Sequence, residues 1–448
     1  MDINMILEFV IIIACLLLGT RYGGFGLGLI SGLGLLIFAF VFHLAPGKPP
    51  VDVLLTIMAV LGCASVLQTA GGLNVMMRFA EKILRRNPKY VTLLAPITTW
   101  TLTVMCGTGH VVYTMFPIIY DIAIKEGVRP ERPMAVASIA SQIGICASPV
   151  SVAVVSMVAI LSKSTHPVSI VQLLSVSIPA TFCGVIVAAL WSLKRGKDLD
   201  SDPVFQAKLQ NQAEKEYIYG ESSTLMDKVF PKEAYWSTWI FFTAIAVVVL
   251  LGAFKELRPV FEVDGKTTTL SMNLAIQIMM LSAGALIVLF CKVVTKEIPN
   301  GTVFKAGMVA VISIFGVAWM ADTVFDAHFE VLKAALAGVV ATKPWTYALV
   351  LFVISKLVNS QAAAVAAIAP LGVSLGVDPL MMVAFIPASY GYFILPTYAS
   401  DLACIGFDRS GTTRIGKFII NHSFIIPGLI GVSTGCTVGY ILVKLLMS

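Results

Sequence analysis

The sequence predicts an all-α polytopic membrane protein built as an inverted-topology repeat, with two re-entrant hairpins and two broken transmembrane helices. Three observations predict it. Of 448 residues, 58% are hydrophobic and only 12% charged, about half the charge of an ordinary soluble domain. Apolar runs near or above the roughly 20 residues of a spanning helix recur from end to end. Landmarks of the first half also return in the second at near-constant spacing.

The apolar segments are 3–20, 23–45, 51–69, 91–122, 133–162, 168–193, 235–253, 270–291, 301–320, 345–376, 379–407 and 417–446. The first lacks a basic start, Asp2 and Glu8 being its nearby charges, so it reads as a retained helix rather than a signal peptide. The second carries Gly24, Gly28 and Gly32 at GxxxG spacing, a pattern for close helix–helix contact. After the third, Leu73–Arg86 reads as an amphipathic surface helix.

Basic clusters set the orientation. "RFAEKILRRNPK" (Arg78–Lys89), "KEGVRPER" (Lys125–Arg132) and "KRGK" (Lys194–Lys197) mark the cytoplasmic side. The first two flank segment 91–122, which therefore starts and ends on one side: a re-entrant hairpin with "CGTGH" at its tip. Segment 133–162 is a helix broken at "ASPVS" (Ala147–Ser151), and 168–193 closes the first half.

Residues 1–197 thus form the first repeat, 198–234 a cytoplasmic linker with a short helix around Phe205–Glu216, and 235–448 the second repeat. Both termini are expected on the periplasmic side. The halves share Pro88 with Pro344, Pro117 with Pro370, "GVRP" with "GVDP", and Pro149 with Pro396, at an offset of about 250 residues. Opposite starting sides make this the inverted repeat of many secondary carriers. The second half then has a surface helix at Thr323–Val340, a hairpin at 345–376 with the tip "VNSQ", and a helix at 379–407 broken at "LPTYAS" (Leu395–Ser400).

Irregular backbone at membrane depth is tolerated only where protein or a watery cavity satisfies its amides. Four such breaks, two from each side, can meet near the midplane, where helix termini present N–H groups suited to a carboxylate. The binding candidates are Thr108, Gly109 and His110 at the first tip, and Asn359, Ser360 and Gln361 at the second. Ser148, Pro149 and Ser151 lie at one break, and Pro396, Thr397 and Ser400 at the other. Each has a bland reading as a cap, kink or interhelical hydrogen bond. Lys356 is a basic residue well inside a membrane segment, where a charge is costly, and Asp401 is its acidic counterpart. Either they pair structurally, or Lys356 attracts an anionic substrate while Asp401 serves coupling or positions the lysine.

Other function classes find little support. The eight cysteines lie in apolar stretches without a CxxC, as packing residues do. No metal-ligand spacing, phosphate loop or catalytic set occurs, so no cofactor, metal or catalytic residue is expected. The net charge of +6 comes from basic residues beside membrane spans and gives no nucleic-acid signal.

With these residues in place, the whole chain resembles the anaerobic four-carbon dicarboxylate transporter (Dcu) family. The resemblance is carried by "PGKPPVDV", "AGGLNVM", "EKILRRNPKYVTLLAP", "CGTGHVVYT", "GVRPERPMA", "SPVSVAVVS", "KLVNSQAAA" and "ILPTYASDLA". "GTGHVVYT", with His110, resembles the DcuB-type branch. The resemblance implies a bacterial inner-membrane antiporter that takes up fumarate, malate or aspartate and releases succinate, in support of anaerobic respiration. More distantly, the hairpin-plus-broken-helix plan is similar to the ion transporter superfamily, commonly homodimers with a scaffold and a mobile substrate domain. Sodium-coupled members carry Ser-Asn-Thr at their tips, a pattern from which Gly-Thr-Gly-His and Asn-Ser-Gln depart. Proton- or sodium-coupled symport stays open as an alternative, an intramembrane enzyme is a remote one, and loop 194–234 is open to a sensory partner.

Overall fold

A computed structural model describes residues 3–446, apart from 50, 165, 221–223, 227, 264–265, 329–330, 332–342, 344, 396–397 and 417–420. Seven of its segments are long and apolar enough to cross a bilayer.

Helices Ile3–Arg21, Gly23–Phe40 and Val51–Thr69 follow the first three apolar runs, and Gly72–Arg86 is the amphipathic fourth. On this last helix Met76, Met77, Ala80 and Leu84 face inward at helical spacing, while Phe79 is exposed. The first hairpin is Val91–Cys106 followed by Val112–Lys125, and the first broken helix is Glu131–Ile143 followed by Val152–Leu161. Ile170–Ser192 ends the half behind a capping box made by Ser169 and Gln172. Helices Lys232–Ala253, Met272–Phe290 and Thr302–Ala327 open the second half. The second hairpin, Trp345–Val358 and Gln361–Ser374, follows, and Ile425–Leu446 is the last helix.

Packing between the halves is reciprocal. Gly23–Phe40 lies on Thr302–Ala327, Val51–Thr69 lies on Met272–Phe290, and Ile170–Ser192 lies along Ile425–Leu446. Of the GxxxG glycines, Gly28 makes the close crossing: a Cβ there would sit 2.1 Å from the Ile312 carbonyl oxygen, and one on Gly316 would sit 2.0 Å from the Gly28 oxygen. Gly32 faces open space.

Several boundaries differ from the sequence expectations. The surface helix placed at Thr323–Val340 cannot start at Thr323, because Thr302–Ala327 continues through it with Met320, Ala321 and Val324 buried. Most of that stretch (329–330 and 332–340) lies outside the described residues. The second broken helix is interrupted far more widely than Leu395–Ser400. Pro379–Ala384 ends early and Ala399–Phe407 resumes, with two short 3-10 turns at Ile386–Ser389 and Tyr392–Ile394. Pro387 and Gly391 lie inside that interval and disfavour helix. The last helix starts at Ile425 rather than 417, since Arg414, His422 and Ser423 belong to a polar turn closed by an Ile415–His422 bridge. A small antiparallel ribbon, Val260–Val263 with Lys266–Thr269, is an addition favoured by its β-branched residues.

The segment expected to be a plain linker is docked. Its single expected helix is two, Pro203–Leu209 and Gln212–Tyr219, each capped by its own residue, Asp202 and Asn211. Leu199, Phe205, Ile218 and Leu225 are buried beneath it. Arg129 donates to Asp202 at 2.7 Å, Arg132 to Asp198 at 2.7 Å, and Tyr120 Oη to the Ile218 carbonyl at 3.1 Å. Asp121, near the end of Val112–Lys125, is buried and paired with Arg85 and Lys125.

Burial works against the charge of Asp202, yet hydrogen bonds from Arg129 and from the Val204 and Phe205 amides hold its carboxyl below the ordinary carboxylate range. Its contribution to docking is complete above the unfolded value of about 4 and is lost as pH falls through the lowered one. The linker should therefore resist proteolysis at about pH 5 and yield only in stronger acid. Asp202→Asn should expose it at neutral pH; equal protection of the two proteins would show that the pair does not hold the segment.

Candidate functional site

The first hairpin turns because Gly107 adopts a left-handed conformation, φ 75°, at the end of Val91–Cys106. A Cβ there would lie 2.8 Å from the Val150 carbonyl oxygen, so the turn sits directly against the first helix break. Thr108 caps the next turn by accepting from the His110 amide at 3.3 Å. Gly109 lets the tip close on the broken helix, since a Cβ would stand 2.4 Å from Gln142 Nε2. The His110 ring stacks on Tyr113 with centroids 5.7 Å apart.

In the first break, Ser148 accepts from the Val150 amide at 3.3 Å. Ser151 caps Val152–Leu161 by accepting from Val154 N, and donates to the Ile145 carbonyl at 2.6 Å. Both serines and Pro149 are buried. They hold the break's own backbone, which is the bland reading of these residues. Ser360 does likewise at the second tip, accepting from Ala363 N at 3.2 Å.

Asn359 takes a left-handed φ of 48° and accepts from Lys356 Nζ at 3.1 Å. That ammonium also reaches the carbonyl oxygens of Tyr392 and Leu395, each at 3.3 Å, and so is held among the loose ends of the second break. No ion pair joins Lys356 to Asp401 among the described residues. Each charge has its own polar partners. Asp401 accepts from Ser138 Oγ at 2.8 Å, and Ser138 also reaches Ser400 Oγ at 3.3 Å. The second carboxylate oxygen of Asp401 is buried and has no partner among the described residues. Pro396 and Thr397 lie outside the described residues.

Gln361 is the hub. Its Nε2 donates to the Gln142 carbonyl at 2.7 Å and to Tyr392 Oη at 3.3 Å. Its Oε1 accepts from Cys146 at 3.0 Å and Ser389 at 3.4 Å. Tyr392 Oη in turn donates to Gln142 Oε1 at 2.7 Å. One contiguous polar centre thus joins the second tip, the helix leading into the first break and the wide interruption of the second, and Gly109 of the first tip packs against its Gln142. Sequence reasoning missed Ser138, Gln142, Ser389 and Tyr392. The available signal was polar side chains within apolar spans, which "SIASQIG" offers at Ser138, Ser141 and Gln142. Cys146, expected to be packing, is a hydrogen-bonding member.

His110 stands outside this hub. With Thr108, Val111 and Thr114 it lines a cavity of about 250 Å3 whose other wall is Gln68, Leu73, Asn74, Met77, Thr302 and Val303. Toward the other ends of Val51–Thr69 and Thr302–Ala327 lies a smaller cavity of about 70 Å3, lined in part by Lys48, Val53, Asp322, Ala366 and Pro370.

A family model described as anaerobic C4-dicarboxylate membrane transporter matches residues 4–447. The chain is 55% identical over 438 residues to anaerobic C4-dicarboxylate transporter DcuB of Escherichia coli O6:H1, covering 97% of each chain. It is 39% identical over 439 residues to C4-dicarboxylate transporter DcuA of Escherichia coli K12, covering 98% of this chain and 99% of that one. Among solved structures, MtrF of Neisseria gonorrhoeae shares the fold with a TM-score of 0.61 at 14% identity, over 92% of this chain and 85% of its own.

Proposed function

The chain belongs to the anaerobic C4-dicarboxylate membrane transporter family, and from that premise we propose that it exchanges four-carbon dicarboxylates across the bacterial inner membrane. Fumarate, malate or aspartate enters and succinate leaves. The carrying observation is the polar centre in which two hairpin tips and two helix breaks meet beside the Lys356 ammonium. A compact dianion needs donors at two ends. The proposed donors are the tip residues Thr108–His110 and Asn359–Gln361 and the break residues 148–151 and 396–400, with Lys356 adding positive potential.

Orientation follows the basic residues. The face bearing Arg78, Arg129 and the docked linker is cytoplasmic, and both termini are periplasmic. The two repeats, 1–197 and 235–448, then enter from opposite sides. Their hairpins and broken helices form one body that moves across the bilayer against a scaffold, in a homodimer joined through the scaffold. The hydrogen bonds that tie Gln142 to Gln361 and Ser138 to Asp401 support motion as a unit. Occupancy lets that body cross, and an empty one crosses poorly, which enforces exchange.

The test is purified protein in liposomes loaded with succinate, following labelled fumarate uptake. Uptake should require internal succinate and should fall at least about tenfold in Lys356→Ala, as loss of a charge-assisted contact would give. Uptake into empty vesicles would overturn exchange. A second reading, cation-coupled symport, is favoured by the unpartnered Asp401 oxygen. It requires uptake without internal substrate that collapses when a proton or sodium gradient is dissipated, and loses that dependence in Asp401→Asn.

A further inference from the structure

Two cavities between the hairpins and the scaffold are unequal, and the larger lies at the basic face. On one face, Thr302–Ala327 packs along Gln361–Ser374 of the second hairpin, and the remaining space is about 70 Å3. Where the counterparts of these helices, Val51–Thr69 and Val112–Lys125, would meet, the structure has the cavity of about 250 Å3 instead. That cavity lies at the ends of the scaffold helices on the basic face, since Gln68 ends one helix and Thr302 begins another.

The depth of the hairpins agrees. The base of the second hairpin, at Leu375, packs on Met5 at the opposite face, and its 14-residue arm reaches about 21 Å into the protein. The tips therefore sit toward the basic face, where Cys106 meets Met76 of the surface helix at 4.0 Å.

The cavity wall is polar on both sides, and part of that polar surface is uncommitted among the described residues. The His110 ring nitrogens and the Asn74 amide have no hydrogen-bond partner among the described residues. Asn74 is exposed to the cavity. Thr302 Oγ1 accepts from Gln68 Nε2 at 2.6 Å, which leaves its own proton to donate. Gln68 Oε1 accepts from the Val303 amide at 3.0 Å, so Gln68 serves as the cap of that helix rather than as a ligand.

We infer that Asn74 and Thr302, fixed in the scaffold, form a one-sided carboxylate subsite opposite His110 and Thr108. It exists only while the tips stand at the basic face. A dicarboxylate loading from that face is held between the two walls, and motion of the hairpins to the other face leaves the scaffold half behind. Asn74 and Thr302 then set the apparent affinity on one side of the membrane and not on the other. The inference rests on the proposed dicarboxylate transport.

The test uses the full-length protein reconstituted in a single known orientation, with the KM for succinate or fumarate measured from each face in turn. Asn74→Ala and Thr302→Val should each raise the KM at the basic face about tenfold or more, as loss of one hydrogen bond to a charged group does. Asn74→Asp should raise it further by repulsion of the substrate charge. The KM at the opposite face should be unchanged, which also shows that each variant is folded. Equal changes at both faces, or no change in any variant, would overturn the subsite. Absence of dicarboxylate exchange in the wild type would instead sink the functional reading itself.

Discussion

Gln361→Leu is expected to reduce exchange at least about a hundredfold while the protein still reaches the membrane. Leucine fills a similar volume but takes the donor from the Gln142 carbonyl and Tyr392 Oη and the acceptor from Cys146 and Ser389, which keep each other and the Ile386 carbonyl at 3.4 Å. A buried group left short of a partner costs roughly 1–3 kcal/mol, and about 1.4 kcal/mol is a factor of ten in rate. Because the amide lies at the junction of tip and break, these losses fall on the geometry of the site rather than on a remote helix. Cys146→Ala removes only a weak S–H donor and should keep most of the activity. The pair is read by initial rates in vesicles, normalised to protein inserted. If Gln361→Leu retained more than a tenth of wild-type exchange, the hub would be packing and not machinery.

Gly28→Val should sharply lower the thermal stability of the protein and, with it, the amount that accumulates in the membrane. The side chain has no room between the second helix and Thr302–Ala327, where even a Cβ falls 2.1 Å from a backbone oxygen. Helices in lipid associate through such close contacts, with no hydrophobic drive to replace them. Forcing them apart costs about 3 kcal/mol, the upper end of overpacking. Gly32→Ala, one turn along the same helix and facing open space, should stay within about 0.5 kcal/mol of wild type. Thermal denaturation in detergent compares the two. Similar stability for both would mean that the crossing at Gly28 is not as tight as described.

Much of the fold was legible because its signals are local. The tips at 107–110 and 358–361 announce themselves by Gly, Asn and Ser inside apolar runs, and by basic residues on both flanks of the first hairpin. The capping roles of Thr108, Ser151 and Ser360 likewise follow from residues beside them. What escaped depends on distance in sequence. Nothing near Gln142 tells that its carbonyl meets Gln361, or near Ser138 that its hydroxyl meets Asp401. The sequence left open whether Lys356 and Asp401 pair, and nothing beside Lys356 tells that the broken backbone at Tyr392 and Leu395 offers it carbonyls. The docked linker was hidden for a related reason. Its apolar residues are too sparse for a period, yet Leu199, Phe205 and Ile218 each find a place beneath it.

The long sequence separation of the hub bonds has a consequence for biosynthesis. Gln142 waits for Gln361, 219 residues later, and Ser138 for Asp401, 263 residues later. At about 5–20 residues per second of translation, the first hairpin and its broken helix stay in the membrane for roughly 10–50 s with their polar faces incomplete. Only water or lipid headgroups can hydrate those faces in the meantime. The nascent first half should therefore be the stage at which the insertion machinery holds the chain longest, and the stage most open to membrane proteases.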